Sequence, residues 1–399
     1  MSFLIRFDQS WPSTGTSEVG IEDGLLVPPD SLEDPQLIDF EGSHIVLTPG
    51  WVNAHSHLEL SGCPSIDYNG NFVDWIYEVL DYKESVSTET IVRNYREGLD
   101  SLLESGVVRV VDHCDLTGSI LEILDELPAG VHLLKELIAF NSDQIESIKN
   151  EAKSFIEQLK RHNQSGGLAP HAPYSAHPEV YSWAADRSSD EELALSTHLH
   201  EVKAELEFSE NGNGDFLKLL RERTDGEVSS PYDGMRPLPY FLRNNVFSNS
   251  MFAVHMNYLD DQDLRWLESS RICPVFCPKS YSYFNHRTLP VLDWIERGID
   301  FAFGTDSLAS NDTLNMLSEL RCFQELTDGT NPETVLEALT INPAEVLNIP
   351  SRGVLSWGTP ADLSVFDVPS GDLRGLARGE AESVAVFRDG TPVWQETTV

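Results

Sequence analysis

Short apolar runs alternate with longer amphipathic stretches along most of the chain. Eight of these runs are rich in β-branched or aromatic residues, which is typical of parallel strands that are buried on both faces. They occupy residues 52–57, 107–113, 131–140, 167–172, 193–200, 251–256, 272–277 and 299–306. The pattern therefore predicts eight parallel strands.

The stretches between the runs predict helices. In residues 88–105, Thr88 is the expected N-cap, and the apolar positions that share one face are Ile91, Tyr95, Leu99 and Leu102. Residues 141–162 open with the polar cluster Asn-Ser-Asp and show a similar spacing. Eight strands that alternate with helices favour an α/β fold closed into a (β/α)8 TIM barrel.

The two ends of the chain do not follow this alternation. Both contain short strand-like runs and turns, which predicts one small β-sandwich built from the two termini. The predicted domains are therefore a first part of the sandwich in 1–48, a hydrolase barrel in 49–350 and a second part of the sandwich in 351–399. Residues 208–237, punctuated by Gly and Pro after the fifth run, are a candidate lid, with a long surface loop as the alternative.

Composition and net charge limit the expected partners and the expected compartment of the protein. The chain has 27 Lys and Arg against 65 Asp and Glu, a net charge of −38, which disfavours nucleic acid and anionic membrane surfaces as partners. No secretory signal and no membrane-spanning run is recognisable, and five scattered cysteines fit a reducing compartment. We expect a cytoplasmic protein with a small-molecule substrate and no membrane partner.

Polar side chains that bind metals stand at the ends of several predicted strands. His55 and His57 share one face of the first strand because side chains alternate along a strand, and His198 ends the fifth. His255 ends the sixth run and Asp306 ends the eighth. Catalytic groups of a TIM barrel gather at this end of the strands, so the pattern predicts a site for Zn²⁺, with Fe²⁺ as the alternative.

At these residues the sequence resembles a known family. PGWVNAHSHLELS, HLHE, VHMNYL and GTDSLASN are similar to the amidohydrolase superfamily, in its adenosine, cytosine and guanine deaminase-like branch. HSHLELS, HAPYS, CPKSYSYF and GTDSLASN look most like the aminodeoxyfutalosine deaminases and their relatives. The resemblance spans the whole chain and implies hydrolytic deamination of a purine-like base or nucleoside at a metal-activated water.

The resemblance also implies a role for each site residue. It implies that one metal is bound by four residues, which are His55, His57, His198 and Asp306. Glu201 would carry protons to the substrate ring, while His255 and Asp306 would orient the attacking water and take its proton. The family's two-metal members use a bridging Lys on the fourth strand, and the corresponding GLAPHAPYS here has none. His200 stands where the family usually has a small residue, so its direction is left open.

Three further residues are predicted to bind substrate: Glu59, Glu136 and His171. Glu59 could instead be a carboxylate at the start of a helix, and Glu136 could pair with a neighbouring cation such as Lys135 or Arg109. Aromatic residues after the seventh run, Tyr281, Tyr283 and Phe284, could stack on a heterocycle or simply pack. Lys279 stands where the family often has Arg. Its ammonium group is a point charge and cannot make the planar bidentate contacts of a guanidinium group.

Two other functions remain open at this point. The same site could hydrolyse another C–N or C–Cl bond on a triazine or pyrimidine ring, and the scaffold could have lost catalysis. The intact set of polar residues at the strand ends argues against a non-catalytic scaffold. Many relatives are dimers, so a homodimer is possible here. No feature of the sequence decides between a homodimer and a monomer.

Overall fold

The computed structural model describes residues 2–115, 117–224, 228–246 and 250–395. Its larger sheet has eight parallel strands that follow one another in chain order. They are β1 Trp51–Ser56, β2 Val107–Cys114, β3 Val131–Leu137, β4 Ser165–Pro170, β5 Ala194–Leu199, β6 Met251–His255, β7 Ile272–Phe276 and β8 Ala302–Phe303.

The sheet closes where the backbone after β8 reaches β1. The backbone N–H groups of Thr305 and Asp306 both donate to the carbonyl oxygen of His55, each at 3.1 Å. Ser56 and Asp306 form the bridge at this seam. The predicted (β/α)8 barrel is therefore confirmed, although β8 is a short strand because its chain continues into the irregular segment that carries Asp306.

Helices cover the outside of the barrel. The α-helices are Phe72–Ser85, Thr88–Glu104, Thr117–Ile120, Ile145–Arg161, Pro178–Glu191, Lys203–Asn211, Asp215–Arg223, Pro237–Arg243, Asp261–Glu268, Pro278–Tyr283, Pro290–Arg297, Met316–Thr327, Pro332–Leu339, Ile341–Val346 and Leu373–Ala377. Short 3-10 helices are Pro29–Ser31, Leu58–Leu60, Leu121–Glu126, Ser142–Gln144 and Pro350–Arg352. Among the described residues, no helix combines the length and apolar character needed to cross a bilayer.

The helix Thr88–Glu104 shows how the local sequence sets these elements. Its predicted apolar face is buried against the barrel, at Ile91, Tyr95, Leu99 and Leu102. The predicted cap was displaced by one residue: Ser87, not Thr88, accepts a hydrogen bond from the N–H of Thr90. Ser87 is the residue with extended backbone just before the first turn, which is the conformation that an N-cap requires.

The two termini form a separate pair of sheets, as predicted. One sheet has the order Leu25–Val27, Glu18–Glu22, Ser2–Arg6 and Gln36–Ile38. The other has the order Thr391–Gln395, Glu382–Arg388, Leu363–Asp367, Ile45–Pro49 and Gln9–Ser10. Apolar side chains from both sheets share one buried cluster, which makes the pair a sandwich. The exact domain limits stay a prediction.

The candidate lid, residues 208–237, is about half helical where it is described. Its residues 225–227 lie outside the described part of the chain. Phe216 and Leu220 in the helix Asp215–Arg223 are buried, and the ring of Phe216 stacks on Tyr174 at 3.8 Å. The alternative of a long surface loop was therefore wrong for this helix, because its apolar face packs on the barrel instead of facing solvent.

Candidate metal centre and active site

The carboxyl ends of the barrel strands bring five of the predicted residues together. The ring nitrogens His57 Nε2 and His198 Nε2 lie 3.3 Å apart. Asp306 Oδ1 lies 3.5 Å from His55 Nε2 and 3.9 Å from His57 Nε2. His255 stacks on the His198 ring at 5.6 Å. All five side chains are buried, so their polar atoms face one another and not bulk water.

This arrangement fits a divalent metal. Ligands bonded to a tetrahedral ion at about 2.0–2.1 Å are separated from each other by about 3.3–3.4 Å. The measured separations of 3.3–3.9 Å among His55, His57, His198 and Asp306 are close to that value. Both ring nitrogens of His55 are buried without a hydrogen-bond partner among the described residues, and a metal bond would satisfy one of them.

Supporting hydrogen bonds set the direction of two of these side chains. His198 Nδ1–H donates to the carbonyl oxygen of His171 at 2.8 Å, which leaves the Nε2 lone pair facing the centre. Asp306 Oδ2 accepts from the hydroxyls of Ser280 at 2.6 Å and Ser310 at 2.8 Å. Its other oxygen is therefore directed at the imidazoles.

The backbone is strained at two of the same positions. His255 has a φ of 75° and Asp306 a φ of 57°, in the left-handed region that non-glycine residues rarely adopt. Such strain is characteristic of functional sites, where the surrounding structure holds it in place. Here it turns both side chains toward the centre at the ends of β6 and β8.

Burial favours the neutral form of three of these histidines, which is the form that binds a metal. Burial lowers the pKa of His57 and of His198 well below the ordinary value. Burial also lowers the pKa of His255 to about 3. At neutral pH these rings therefore offer lone pairs without first having to release a proton.

Glu201 has the opposite perturbation. Burial, followed by the negative charges of Asp306 and Glu205, raises the pKa of its carboxyl group well above the usual value. Its Oε1 lies 3.5 Å from His255 Nε2. A carboxylic acid that is protonated near neutral pH and faces a cavity is suited to donate a proton to a substrate.

His200 points away from this centre, although only one residue separates it from His198. Its Nε2 accepts a hydrogen bond from the backbone N–H of Leu238 at 3.2 Å, and its Nδ1 faces Arg236 at 3.5 Å. The question left open by the sequence is thereby answered: His200 holds the start of the helix Pro237–Arg243.

A cavity of about 310 Å³ opens over the polar centre. Its floor contains His57, His198, Glu201, His255 and Asp306. Most of its wall is apolar and comes from both sides of the mouth: Leu60, Phe72, Trp75, Ile76, Val79, Leu80, Ile138, Phe140, Tyr174 and Leu219. The helix Phe72–Ser85, which the sequence analysis did not single out, provides much of this wall.

The three predicted substrate-binding residues have different positions. Glu136 and His171 line the cavity, and Glu136 Oε1 lies 3.8 Å from His171 Nε2. Glu59 lies behind the wall, where its Oε1 is 2.6 Å from Lys83 Nζ and its Oε2 accepts from the N–H of Asp115 at 3.1 Å. The two residues that bind Glu59, Lys83 and Asp115, line the cavity themselves, and neither was predicted to do so.

The two cations considered as partners of Glu136 both pair with other carboxylates. Arg109 pairs with Asp362 at 2.7 Å, and Lys135 Nζ lies 3.8 Å from Glu151. Neither forms an ion pair with Glu136 among the described residues, so pairing with Lys135 or Arg109 was wrong. The cationic side chains that line the cavity are instead those of Lys83 and Arg223.

The aromatic residues after β7 pack and do not line the cavity. Tyr283 donates its hydroxyl hydrogen to the carbonyl oxygen of Ile66 at 2.6 Å, and Tyr281 donates to that of Thr288. The Phe284 ring packs against Trp75 at 5.1 Å. Stacking on a substrate was therefore the wrong alternative for these three, because neighbouring loops already occupy their polar and apolar faces. Lys279 is bound to Asp312 outside the cavity.

His113 is a further residue at the centre that the sequence analysis did not select. It is the seventh residue of β2, and its ring lies 4.5 Å from the His55 ring and 5.1 Å from the His198 ring. The signal was present in the sequence: a histidine ends the second apolar run, VVRVVDH, as His255 ends the sixth.

The sequence model of the amidohydrolase family matches residues 46–393 of this chain. The chain belongs to the amidohydrolase family. This result confirms the predicted family, and with it the class of hydrolase that acts on bonds such as non-peptide C–N bonds. The match covers the whole barrel and most of the second part of the sandwich.

Three similar proteins illustrate the relationship of this amidohydrolase to others. The 5-methylthioadenosine/S-adenosylhomocysteine deaminase of Pyrococcus furiosus is 26% identical over 366 residues, 88% of this chain and 82% of that protein. The structure of Helicobacter pylori aminofutalosine deaminase with methylthio-coformycin has a TM-score of 0.82 at 22% identity and covers 98% of this chain and 100% of that chain.

The third is an adenosine deaminase from Xanthomonas campestris with bound zinc. Its TM-score is 0.80 at 19% identity, covering 98% of this chain and 92% of that chain. At these identities the two structures establish the shared fold alone.

Proposed function

We propose that this amidohydrolase is a metal-dependent deaminase of an adenine nucleoside that carries a substituent on its ribose. The observation that carries the proposal is the pairing of two features at the floor of one cavity. A cluster of neutral imidazoles with Asp306 fits one divalent ion, and Glu201 beside it is a carboxylic acid with a strongly raised pKa.

Four residues would hold the metal: His55, His57, His198 and Asp306. Zn²⁺ suits their three nitrogens and one carboxylate oxygen, with Fe²⁺ as the alternative. A divalent ion bound there would supply Lewis-acid activation of water at neutral pH. The zinc bound to the Xanthomonas campestris protein supports the choice of metal.

The remaining residues manage protons. In deamination a water oxygen is added to the ring carbon that bears the amino group, and ammonia leaves. The neighbouring ring nitrogen gains a proton as the ring loses its aromaticity, and Glu201, whose pKa burial raises well above the usual value, is placed to donate it. Asp306 and His255, whose Nε2 lies 3.5 Å from Glu201 Oε1, would orient the water and accept its proton.

The cavity supports a substrate larger than a free base. Its volume of about 310 Å³ and its long apolar wall extend well beyond the polar floor. Glu136 and His171 lie between floor and wall, where hydroxyl groups of a ribose would reach them. The names of the similar proteins, which act on 5-methylthioadenosine, S-adenosylhomocysteine or aminofutalosine, support the same substrate class.

Ammonia release from a panel of amines tests this proposal. Zinc-loaded protein is incubated with adenosine, methylthioadenosine, S-adenosylhomocysteine, aminodeoxyfutalosine, guanine, cytosine and a triazine. We expect ammonia, with a shift of the purine ultraviolet spectrum, from at least one substituted adenine nucleoside and at a higher kcat/KM than from adenosine. Turnover of only the triazine or a pyrimidine would contradict the substrate class, and no turnover of any compound would contradict the deaminase itself.

The remaining expectations, a cytoplasmic location, an open choice between monomer and homodimer, and no nucleic-acid partner, stay predictions.

A further inference from the structure

His113 has the properties of a metal ligand but lies outside the set that the family resemblance implies. Its side chain is fully buried at the end of β2. Neither ring nitrogen has a hydrogen-bond partner among the described residues. The nearest carboxylate oxygen, Glu136 Oε1, lies 3.8 Å from Nδ1, which is too long for a hydrogen bond.

The position of His113 relative to the other histidines is specific. One ligand atom from each of His55, His57, His113 and His198 lies within 4.8 Å of the other three. One ring nitrogen from each of these four buried histidines therefore lies within the same small volume.

The chemistry of such a volume limits what can occupy it. A water molecule has two hydrogens and can donate to at most two of the four ring nitrogens. His57 Nε2 and His198 Nε2, 3.3 Å apart, can pair with each other if one ring carries its proton there, which still leaves His55 and His113 without a partner among the described residues. A divalent cation accepts lone pairs from all four at once, and imidazole suits Zn²⁺, Cu²⁺, Fe²⁺ and Ni²⁺.

We propose that His113 is a ligand of the metal, so that four imidazoles bind the ion, which Asp306 also approaches from β8. This inference rests on the proposed metal centre and adds one residue to it. It also assigns a metal-binding role to β2, which contributes none of the residues that the resemblance implies. Glu136 is the alternative partner of His113; in that case His113 would position Glu136 and would not touch the ion.

A crystal structure of the zinc-loaded protein tests the assignment directly. We expect a nitrogen of His113 at about 2.0–2.1 Å from the zinc. A distance beyond about 3 Å, one and a half bond lengths, would overturn the proposal even with zinc bound by the other residues. An absence of zinc from the site after reconstitution would instead contradict the metal centre itself, so the two failures are distinguishable.

Zinc affinity gives a second readout that does not depend on activity. We expect His113→Asn to raise the Kd for zinc, measured by competition with a chelator, at least about 100-fold, beyond the usual effect of losing a residue that only supports a ligand. His132→Asn is the matched control, because His132 is a buried histidine on the adjacent β3 that lies outside the metal cluster. Its Nε2 has no hydrogen-bond partner among the described residues, and the positive charge of Arg109 acts on its ring. Its Kd should stay at the wild-type value. An unchanged Kd in His113→Asn would overturn the proposal, and if that variant does not fold, the zinc distance in the wild-type crystal decides alone.

Discussion

Glu201→Gln is expected to lower the rate of deamination by about 10²–10⁴-fold while leaving zinc bound. Glutamine has the size and the neutral charge of the protonated acid that burial favours at this position. The fold and the metal cluster should therefore tolerate the change. What glutamine lacks is an acidic proton to give to the ring nitrogen, so the chemical step should fail. Single-turnover deamination rates measure the effect.

Two measurements on the same variant separate a chemical from a structural cause. Zinc content per chain and the Tm should both match the wild type. Retention of more than about a tenth of the wild-type rate would remove Glu201 from the role of proton donor, since that loss is below the range for general acid catalysis. A variant that had lost its zinc would show instead that Glu201 maintains the metal site.

His198→Asn and His200→Asn should have contrasting effects although only Leu199 separates the two residues. His198 Nε2 faces His57 Nε2 at 3.3 Å, whereas His200 Nε2 accepts from the N–H of Leu238. We expect His198→Asn to raise the Kd for zinc by at least about 100-fold, beyond the usual effect of losing a residue that only supports a ligand, and to abolish turnover.

His200→Asn should keep both zinc and the basal reaction. Its effect should fall on the free energy of unfolding, with a loss of about 1–3 kcal/mol, because a buried N–H is left without its acceptor. Chelator competition and denaturant unfolding of the two variants make the comparison. If zinc were lost from His200→Asn and kept by His198→Asn, the assignment of the fifth-strand ligand would be reversed.

The barrel and the centre of the site were predictable because both depend on strand ends. Buried parallel strands leave a clear signal in the sequence, and side chains at their carboxyl ends must meet at one rim. Period two along a strand placed His55 and His57 on one face, and in the structure their rings lie 4.9 Å apart. For His198 and His200 the same rule would have placed both rings inward. The strand ends at Leu199, and a left-handed φ of 52° turns His200 away.

The substrate-binding wall was less predictable because it depends on distant packing. Glu59 follows the first strand closely enough to suggest a contact with substrate. Its carboxylate instead pairs with Lys83 from the helix Phe72–Ser85. No local pattern connects these two positions. In the same way, Leu219 reaches the cavity only because Phe216, three residues earlier, packs its ring on Tyr174.

Restoration of activity to metal-free protein is the measurement that tests the central claim most directly. Chelator-treated protein is titrated with Zn²⁺ while ammonia release from a substituted adenine nucleoside, identified in the panel, is followed. We expect no release before zinc is added and a rise that saturates at one zinc per chain. Ammonia release that persists in fully metal-free protein, or zinc binding at one per chain that restores no release, would contradict a metal-dependent deaminase.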